Sequence, residues 1–118
     1  MIAIIDYGAG NIFSVKNALD YLGLESALVS DKEAVQNADA VILPGVVAFP
    51  AAMEKLAATG LINTIKEEAA KKPFLGICLG MQLIFEKGYE FGECDGLGLI
   101  SGNVRKMEAP DYSSYGME

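Results

Sequence analysis

The 118-residue sequence contains no histidine and only two cysteines, Cys78 and Cys94. The two cysteines are not spaced like metal ligands and have no histidine to join them, so no structural zinc site is expected. No bound metal or cofactor is predicted. The lack of histidine also removes the usual general base for a cysteine nucleophile.

Positive charge is scarce, with 9 Lys and Arg against 16 Asp and Glu and a net charge of −7. No basic stripe offsets this average, which argues against nucleic acid or an anionic membrane as the main ligand. The apolar run at the N-terminus lacks a basic region and is too short for a signal peptide or a membrane span. We therefore expect a cytoplasmic protein with reduced cysteines.

Hydrophobic residues make up 52% of the sequence and charged residues 21%, which is richer in apolar residues than a typical soluble domain. Such a composition suits a single domain with a parallel sheet that is covered on both faces, and also a domain that meets a partner surface. The apolar patterns predict strands at 2–5, 25–29, 40–43 and 74–77, and helices at 12–22, 50–56, 61–70 and 79–86. This alternation predicts an α/β fold, a flavodoxin-like parallel sheet with flanking helices.

The pattern changes after Gly88, where repeated glycines separate two short apolar runs at 97–100 and 104–107. These runs predict an antiparallel addition to the domain, which then covers residues 1–107. The tail 108–118 has no periodicity and is predicted to be irregular. Two charged groups, 66–68 and 71–72, predict a solvated helix face.

Cys78 lies between a predicted strand and a predicted helix, with Gly76 and Gly80 on either side. This pattern is typical of a nucleophile on a strained strand-to-helix turn, where the flanking positions are crowded and favour glycine. The start of the helix favours the thiolate, and the N–H of Leu79 becomes available to an oxyanion. The alternative is a small core cysteine beside packing glycines, but the strand–turn–helix context favours the nucleophile. Cys94, in a loop, is interpreted as structural or incidental.

Pro44-Gly45-Val46 follows the third predicted strand and is a second candidate for the site. A glycine turn at the end of a neighbouring strand is placed to direct backbone amides toward the same pocket. The N–H of Val46 is the predicted second oxyanion donor. The alternative is an ordinary turn at the end of a strand.

Three polar residues are further candidates for a small-molecule pocket. The glycine turn at 8–11 begins like a dinucleotide-binding fingerprint, but Phe13 stands where the third glycine belongs, so only Asn11 is retained as a pocket residue. Gln82 lies one helical turn after Cys78 and is placed to bond an amide-bearing substrate. Glu90 is placed to bind an amine. For Gln82 and Glu90 the alternative is a solvated surface residue.

Four segments together, 6–11, 43–46, 76–82 and 96–100, resemble class I glutamine amidotransferases in order and spacing. The sequence is most similar to the glutaminase subunits of imidazole glycerol phosphate synthases, enzymes of histidine biosynthesis. The resemblance implies that Cys78 attacks the side-chain carboxamide of glutamine, releasing ammonia and forming a glutamyl thioester that water hydrolyses.

The resemblance also implies roles for other residues and a partner. The amides of Leu79 and Val46 would form the oxyanion hole. The residues implied to line or bind glutamine are Asn11, Gly45, Gln82 and Glu90. The ammonia would pass to a cyclase subunit with a (β/α)8-barrel fold.

The sequence departs from the family pattern in two ways. Val47 stands where the family has a glycine, and a β-branched residue is costly there if the backbone must flip or adopt a positive φ. The catalytic histidine and glutamate of the family come from a C-terminal part that this sequence lacks. We therefore expect an N-terminal portion of the subunit that hydrolyses glutamine at a negligible rate by itself.

Two other hypotheses remain open at the level of sequence. In the first hypothesis, the chain is a non-catalytic flavodoxin-like domain whose reactive cysteine serves redox sensing or partner docking. Alternatively, exposed sheet edges and apolar faces prevent the chain from folding stably.

Overall fold

A computed structural model describes residues 1–107, and the tail that was predicted to be irregular lies outside the described residues. The elements, in chain order, are β1 (Ile2–Ile5), α1 (Ile12–Tyr21), β2 (Ser26–Val29), α2 (Lys32–Asn37), β3 (Ala40–Leu43), α3 (Phe49–Thr59), α4 (Ile62–Ala69), β4 (Phe74–Gly76), α5 (Leu79–Leu83), β5 (Phe85–Gly88), β6 (Cys94–Asp95) and β7 (Ile100–Val104). None of the helices formed by these residues is both long and apolar enough to cross a membrane.

A four-stranded parallel sheet in the order β2-β1-β3-β4 forms the centre of the molecule. The strands are short apolar runs, and β1 pairs in parallel with β2 on one side and with β3 on the other. This architecture confirms the predicted α/β fold. It also brings the carboxyl ends of β1, β3 and β4 to one edge, where ligands bind in open α/β sheets.

The two faces of the sheet are covered unequally. On one face, the main core joins the sheet to α2, α3, α4 and α5 through residues such as Val35, Leu56, Ile65 and Leu83. On the other face, Ile4 and Ile42 pack with Leu19 of α1 in a smaller cluster. Because β4 is the last strand of the sheet and α1 lies over β1 and its neighbours, Leu75 of β4 is 54% exposed.

A second sheet of three short strands, in the order β6-β5-β7, follows α5. The antiparallel addition that the sequence predicts is only partly right, because β5 pairs antiparallel with β6 but parallel with β7. The predicted runs at 97–100 and 104–107 are also displaced, since the strand observed there is β7. Periodicity over so few residues does not specify the direction or register of pairing.

The predicted helix at 79–86 is wrong at its end, because α5 stops at Leu83 and β5 begins at Phe85. Long-range hydrogen bonds replace the helical ones there. The carbonyl of Leu83 accepts from the N–H of Leu97 at 2.7 Å, and the carbonyl of Phe85 accepts from the N–H of Gly98 at 3.0 Å. Tertiary pairing thus overrides the local helical pattern.

The solvated face predicted for the charged groups near α4 is only partly right, because Lys66, Glu67 and Lys71 are exposed whereas Glu68 is buried. Glu68 is 5% exposed and its carboxylate lies 2.8 Å from Lys72 Nζ. The hydrogen bond from Lys72 lowers the pKa of Glu68 below its usual value. Lys72 Nζ also donates to three carbonyl oxygens at the end of α2, those of Val35, Gln36 and Ala38. The pair therefore joins α4 to the C-terminus of α2, where a cation is favourable.

Candidate active site

Cys78 occupies the turn between β4 and α5 with a strained backbone. Its φ is +54° and its ψ is −123°, and within residues 1–107 no other non-glycine residue has a positive φ. Such a conformation costs about 1–3 kcal/mol and is found at functional sites. The predicted strained turn is confirmed, and the Cys78 side chain is exposed rather than packed in the core.

The glycines around Cys78 are required by close backbone contacts. A Cβ at Gly76 would lie 2.6 Å from Met81 Cα and 2.8 Å from Gly80 O. A Cβ at Gly80 would lie 1.8 Å from Leu43 O, at the end of β3. Both separations are far below van der Waals contact, so the turn can pack against β3 only with glycine at these positions.

The thiol opens into a cavity of about 510 Å³, a size typical of small-molecule sites. Its lining consists of Gly45, Val46, Val47, Cys78, Leu79, Gln82 and Glu90. A second cavity of about 240 Å³ adjoins the first, shares three of its lining residues and adds Asn11. The structure therefore brings the other six candidate residues to the two cavities that Cys78 lines, and their individual roles are predictions.

The two predicted oxyanion donors are both occupied within the protein. The N–H of Val46 donates to the carbonyl of Ala9 at 2.7 Å, and the N–H of Leu79 donates to the carbonyl of Gly45 at 3.2 Å. The Gly45 carbonyl and the Val46 N–H belong to one peptide unit. In the observed orientation of this peptide, the Val46 N–H is directed away from the cavity and the Gly45 carbonyl covers the Leu79 N–H.

Val47 causes no backbone strain in this arrangement. Its φ is not positive, because Cys78 is the one described non-glycine residue with a positive φ. The side chain is half-buried and packs against the main core while lining the cavity. The cost expected from a valine at this position is therefore absent in the observed conformation.

Glu90 has a structural contact in addition to its place in the cavity wall. Its Oε1 accepts a hydrogen bond of 3.1 Å from the N–H of Phe49, the first residue of α3. The preceding residue, Ala48, has no side-chain group that could serve as an N-cap, so the carboxylate takes that role from a distant part of the chain. Gln82 is half-buried on α5 and lines the cavity. Its proposed bond to a substrate amide stays a prediction.

Tyr7 is a site residue that pattern analysis did not single out. It is 6% exposed, and its Oη donates to the carbonyl of Pro44 at 2.6 Å. Burial raises the pKa of Tyr7 to about 12. An aromatic residue two positions after an apolar strand is no signal by itself, because its partner is 37 residues away.

The cavity offers little other acid–base chemistry. Besides Cys78, the only ionisable side chain that lines it within residues 1–107 is Glu90, and the whole sequence has no imidazole. In the same part of the chain, no group of three or more Cys, Asp or Glu side chains is arranged to hold a metal ion.

Comparison with known sequences gives two kinds of match. The family profile described as "Glutamine amidotransferase class-I" matches residues 3–113. The chain is 56% identical over 109 residues to "Imidazole glycerol phosphate synthase subunit HisH" of Bacillus cereus (strain G9842), covering 92% of this chain and 52% of that protein. It is 53% identical over 111 residues to the protein of the same name from Bacillus thuringiensis subsp. konkukian (strain 97-27), covering 93% and 53%. The chain thus spans about half the length of these curated relatives.

Solved structures share the fold. A chain described as "Crystal structure of glutamine amidotransferase" superimposes with a TM-score of 0.74 at 21% identity, covering 90% of this chain and 57% of that one. A putative peptidase E protein from Listeria monocytogenes EGD-e superimposes with a TM-score of 0.66 at 21% identity, covering 84% and 62%.

Proposed function

The chain belongs to the class-I glutamine amidotransferase family, and from that premise we propose that it provides the cysteine nucleophile and the glutamine pocket of a glutaminase. The observation that carries the proposal is the exposed, strained Cys78 at the wall of a small-molecule cavity. The similarity to HisH proteins supports a more specific role, the glutaminase subunit of imidazole glycerol phosphate synthase in histidine biosynthesis.

In the proposed reaction, Cys78 Sγ attacks the side-chain carboxamide carbon of glutamine. The C–N bond breaks, ammonia leaves with a proton, and a glutamyl thioester remains that water hydrolyses to glutamate. Glu90 binds the α-ammonium group by charge, and Gln82, Asn11 and Gly45 bind or line the rest of the substrate. The ammonia passes to a cyclase partner with a (β/α)8-barrel fold.

The oxyanion hole of this reaction requires one backbone rearrangement. If the Gly45–Val46 peptide turns over, its N–H leaves the Ala9 carbonyl and its carbonyl leaves the Leu79 N–H. Both donors then become available together. Loss of a single such donor typically lowers kcat by a factor of about 10²–10³, so the observed arrangement is a resting state.

The proton transfers require a base from another polypeptide segment, because the sequence contains no histidine. The exposed Leu75 on β4, the last strand of the sheet, supports this part of the proposal. A strand added in parallel to β4 would end at the same edge as Cys78 and so deliver a base there. Ammonia release by this chain alone is expected to be negligible.

Alkylation of Cys78 by iodoacetamide tests the proposed pocket. The assay uses a Cys94→Ser background, so that the other thiol does not contribute. We expect L-glutamine to slow alkylation in a saturable manner, with asparagine, which is one methylene shorter, protecting less. Equal alkylation rates with and without glutamine would contradict the proposal.

The same assay examines a second candidate function, redox sensing, which the exposed thiol favours. A sensor is expected to react with hydrogen peroxide at low concentration and to be indifferent to glutamine. Glutamine protection combined with slow peroxide oxidation supports the glutaminase origin instead.

A further inference from the structure

Phe49, the first residue of α3, contacts both β5 and the acidic residue that follows that strand. Its N–H donates to Glu90 Oε1 at 3.1 Å. Phe49 is 1% exposed, and its ring lies directly against Gly88, the last residue of β5, where an added Cβ would lie 2.6 Å from Phe49 Cδ2. One residue therefore holds the Glu90 carboxylate and also the strand from which that residue extends.

The same ring reaches the neighbouring strand of the second sheet. Gly88 pairs with Cys94 of β6, and Gly96 comes directly after β6. An added Cβ at Gly96 would lie 3.1 Å from Phe49 Cζ. The ring thus packs against two paired strands at once, and such close packing leaves them little freedom to move relative to α3.

Glu90 connects this contact with the cavity. It is the one acidic side chain in the cavity wall beside Cys78, among the residues that the structure describes. The residue after Phe49 is Pro50, which has no N–H, so Phe49 provides the first donor at this end of α3. A hydrogen bond to a carboxylate is strong and directional. The position of the carboxylate along the cavity wall therefore depends on Phe49.

We propose that Phe49 is a positioning residue for recognition of the substrate α-ammonium group. It fixes the Glu90 carboxylate at the distance from the Cys78 thiol that matches the separation of the ammonium and carboxamide groups in glutamine. The inference rests on the proposed function, in which Glu90 binds that ammonium. Phe49 is not among the described residues that line the cavity, so it acts through Glu90 and touches no substrate.

Phe49→Leu tests the inference because it removes the flat ring and keeps an apolar side chain. Protection of Cys78 from iodoacetamide, in the full chain with Cys94→Ser, is measured with L-glutamine and with glutaramate, which is glutamine without its α-ammonium group. We expect the half-protecting concentration of glutamine to rise about fivefold, less than the roughly tenfold rise that complete loss of a charge-assisted bond gives. The half-protecting concentration of glutaramate should stay unchanged. Phe49→Met, which retains more side-chain volume, is expected to give a shift in the same direction.

A double variant separates positioning from general stability. Glu90→Gln keeps an acceptor for the Phe49 N–H but removes the charge, so adding Phe49→Leu should no longer change the ratio of the two half-protecting concentrations. Ile65→Val, at a fully buried residue of α4, is the control for a general loss of stability and should leave that ratio as it is.

The inference is overturned if Phe49→Leu and Phe49→Met leave glutamine protection unchanged or weaken protection by both ligands equally. It is also overturned if Phe49→Leu changes the ratio as much in the Glu90→Gln background, or if Ile65→Val changes it to the same extent. Failure of the proposed function is distinguishable, since glutamine then fails to protect Cys78 in the chain that carries only Cys94→Ser.

Discussion

Val46 bears the conformational cost of the rearrangement that the proposed reaction needs. Turning the Gly45–Val46 peptide changes ψ of Gly45 and φ of Val46 by similar and opposite amounts. The present φ of Val46 is not positive, so the turn moves it into the positive region. For an L-residue that region costs about 1–2 kcal/mol, and a β-branched side chain makes it worse.

Val46→Gly should therefore favour the turned peptide. We expect the Leu79 amide, which is covered by the Gly45 carbonyl, to exchange roughly 5–30-fold faster in this variant, as measured by NMR. Val47→Gly is the matched control, because the φ of Val47 need not change sign. An equal acceleration in both variants would show that added flexibility, rather than the φ of Val46, is responsible.

Tyr7 predicts a specific loss of stability at alkaline pH. Burial raises its folded-state pKa to about 12, above the usual value of about 10. The stabilisation from the neutral phenol is thus fully present below about pH 10 and is lost as the pH rises through about 12. In urea titrations, the free energy of unfolding should fall more steeply with pH over this window for the unmodified chain than for Tyr7→Phe. Parallel pH profiles would refute this.

At the scale of residues, the sequence predicts most of the cavity lining at Cys78 but not the place of Val47 in it. Asn11 and Gly45 follow strands whose carboxyl ends meet at one edge of the parallel sheet, whereas Gln82 lies on α5 and Glu90 follows a strand of the second sheet. The direction of the two amides was not predictable. It depends on hydrogen bonds from Val46 to Ala9 and from Leu79 to Gly45, and neither leaves a trace in residue type.

The turn between β4 and α5 depends on how closely α5 approaches the end of β3. A Cβ at Gly80 would lie 1.8 Å from Leu43 O, which is a severe clash. Relieving it would require a backbone shift, which costs stability. We expect Gly80→Ala to lower the melting temperature by on the order of 10 °C. Gly23→Ala is the control, since a Cβ there meets nothing within 4 Å and experiences only the cost of a φ of +75°.

Calorimetry measures the fall in melting temperature for Gly80→Ala and Gly23→Ala. It thereby separates a steric clash from the general cost of replacing a glycine. A larger fall for Gly80→Ala places the cost in steric packing of the turn. Equal falls would mean that glycine at position 80 is not needed for the approach of α5 to β3.

Among the elements, the parallel sheet and its helices follow from apolar runs that alternate with helical spacing. The end of α5 does not. Residues 84–86 continue the helical pattern, yet their carbonyls pair with amides ten or more residues later, such as that of Gly98. Local periodicity contains no information on such partners. The burial of Glu68 is a similar case. Its partner Lys72 is held in place by carbonyls at the end of α2, which are distant in the sequence.

On the scale of the whole molecule, we expect copies of the chain to associate through β4, the last strand of the sheet. Leu75 of β4 is 54% exposed beside an apolar groove of about 290 Å³. Exposed apolar strands at a sheet edge promote pairing with other chains. We expect Leu75→Lys to reduce self-association in sedimentation experiments. Tyr21→Lys, at a side chain that is 91% exposed and does not line this groove, should leave association unchanged, and a similar reduction in both variants would attribute the effect to net charge.

The central claim, that Cys78 is a nucleophile facing a glutamine pocket, is tested most directly by affinity labelling. A glutamine analogue with a chloroketone in place of the carboxamide is incubated with the chain, and the adduct is located by peptide mass spectrometry. We predict labelling of Cys78 with saturable kinetics, competition by L-glutamine, and little label on Cys94. Equal labelling of both cysteines, or labelling of Cys78 that glutamine does not slow, would contradict the claim.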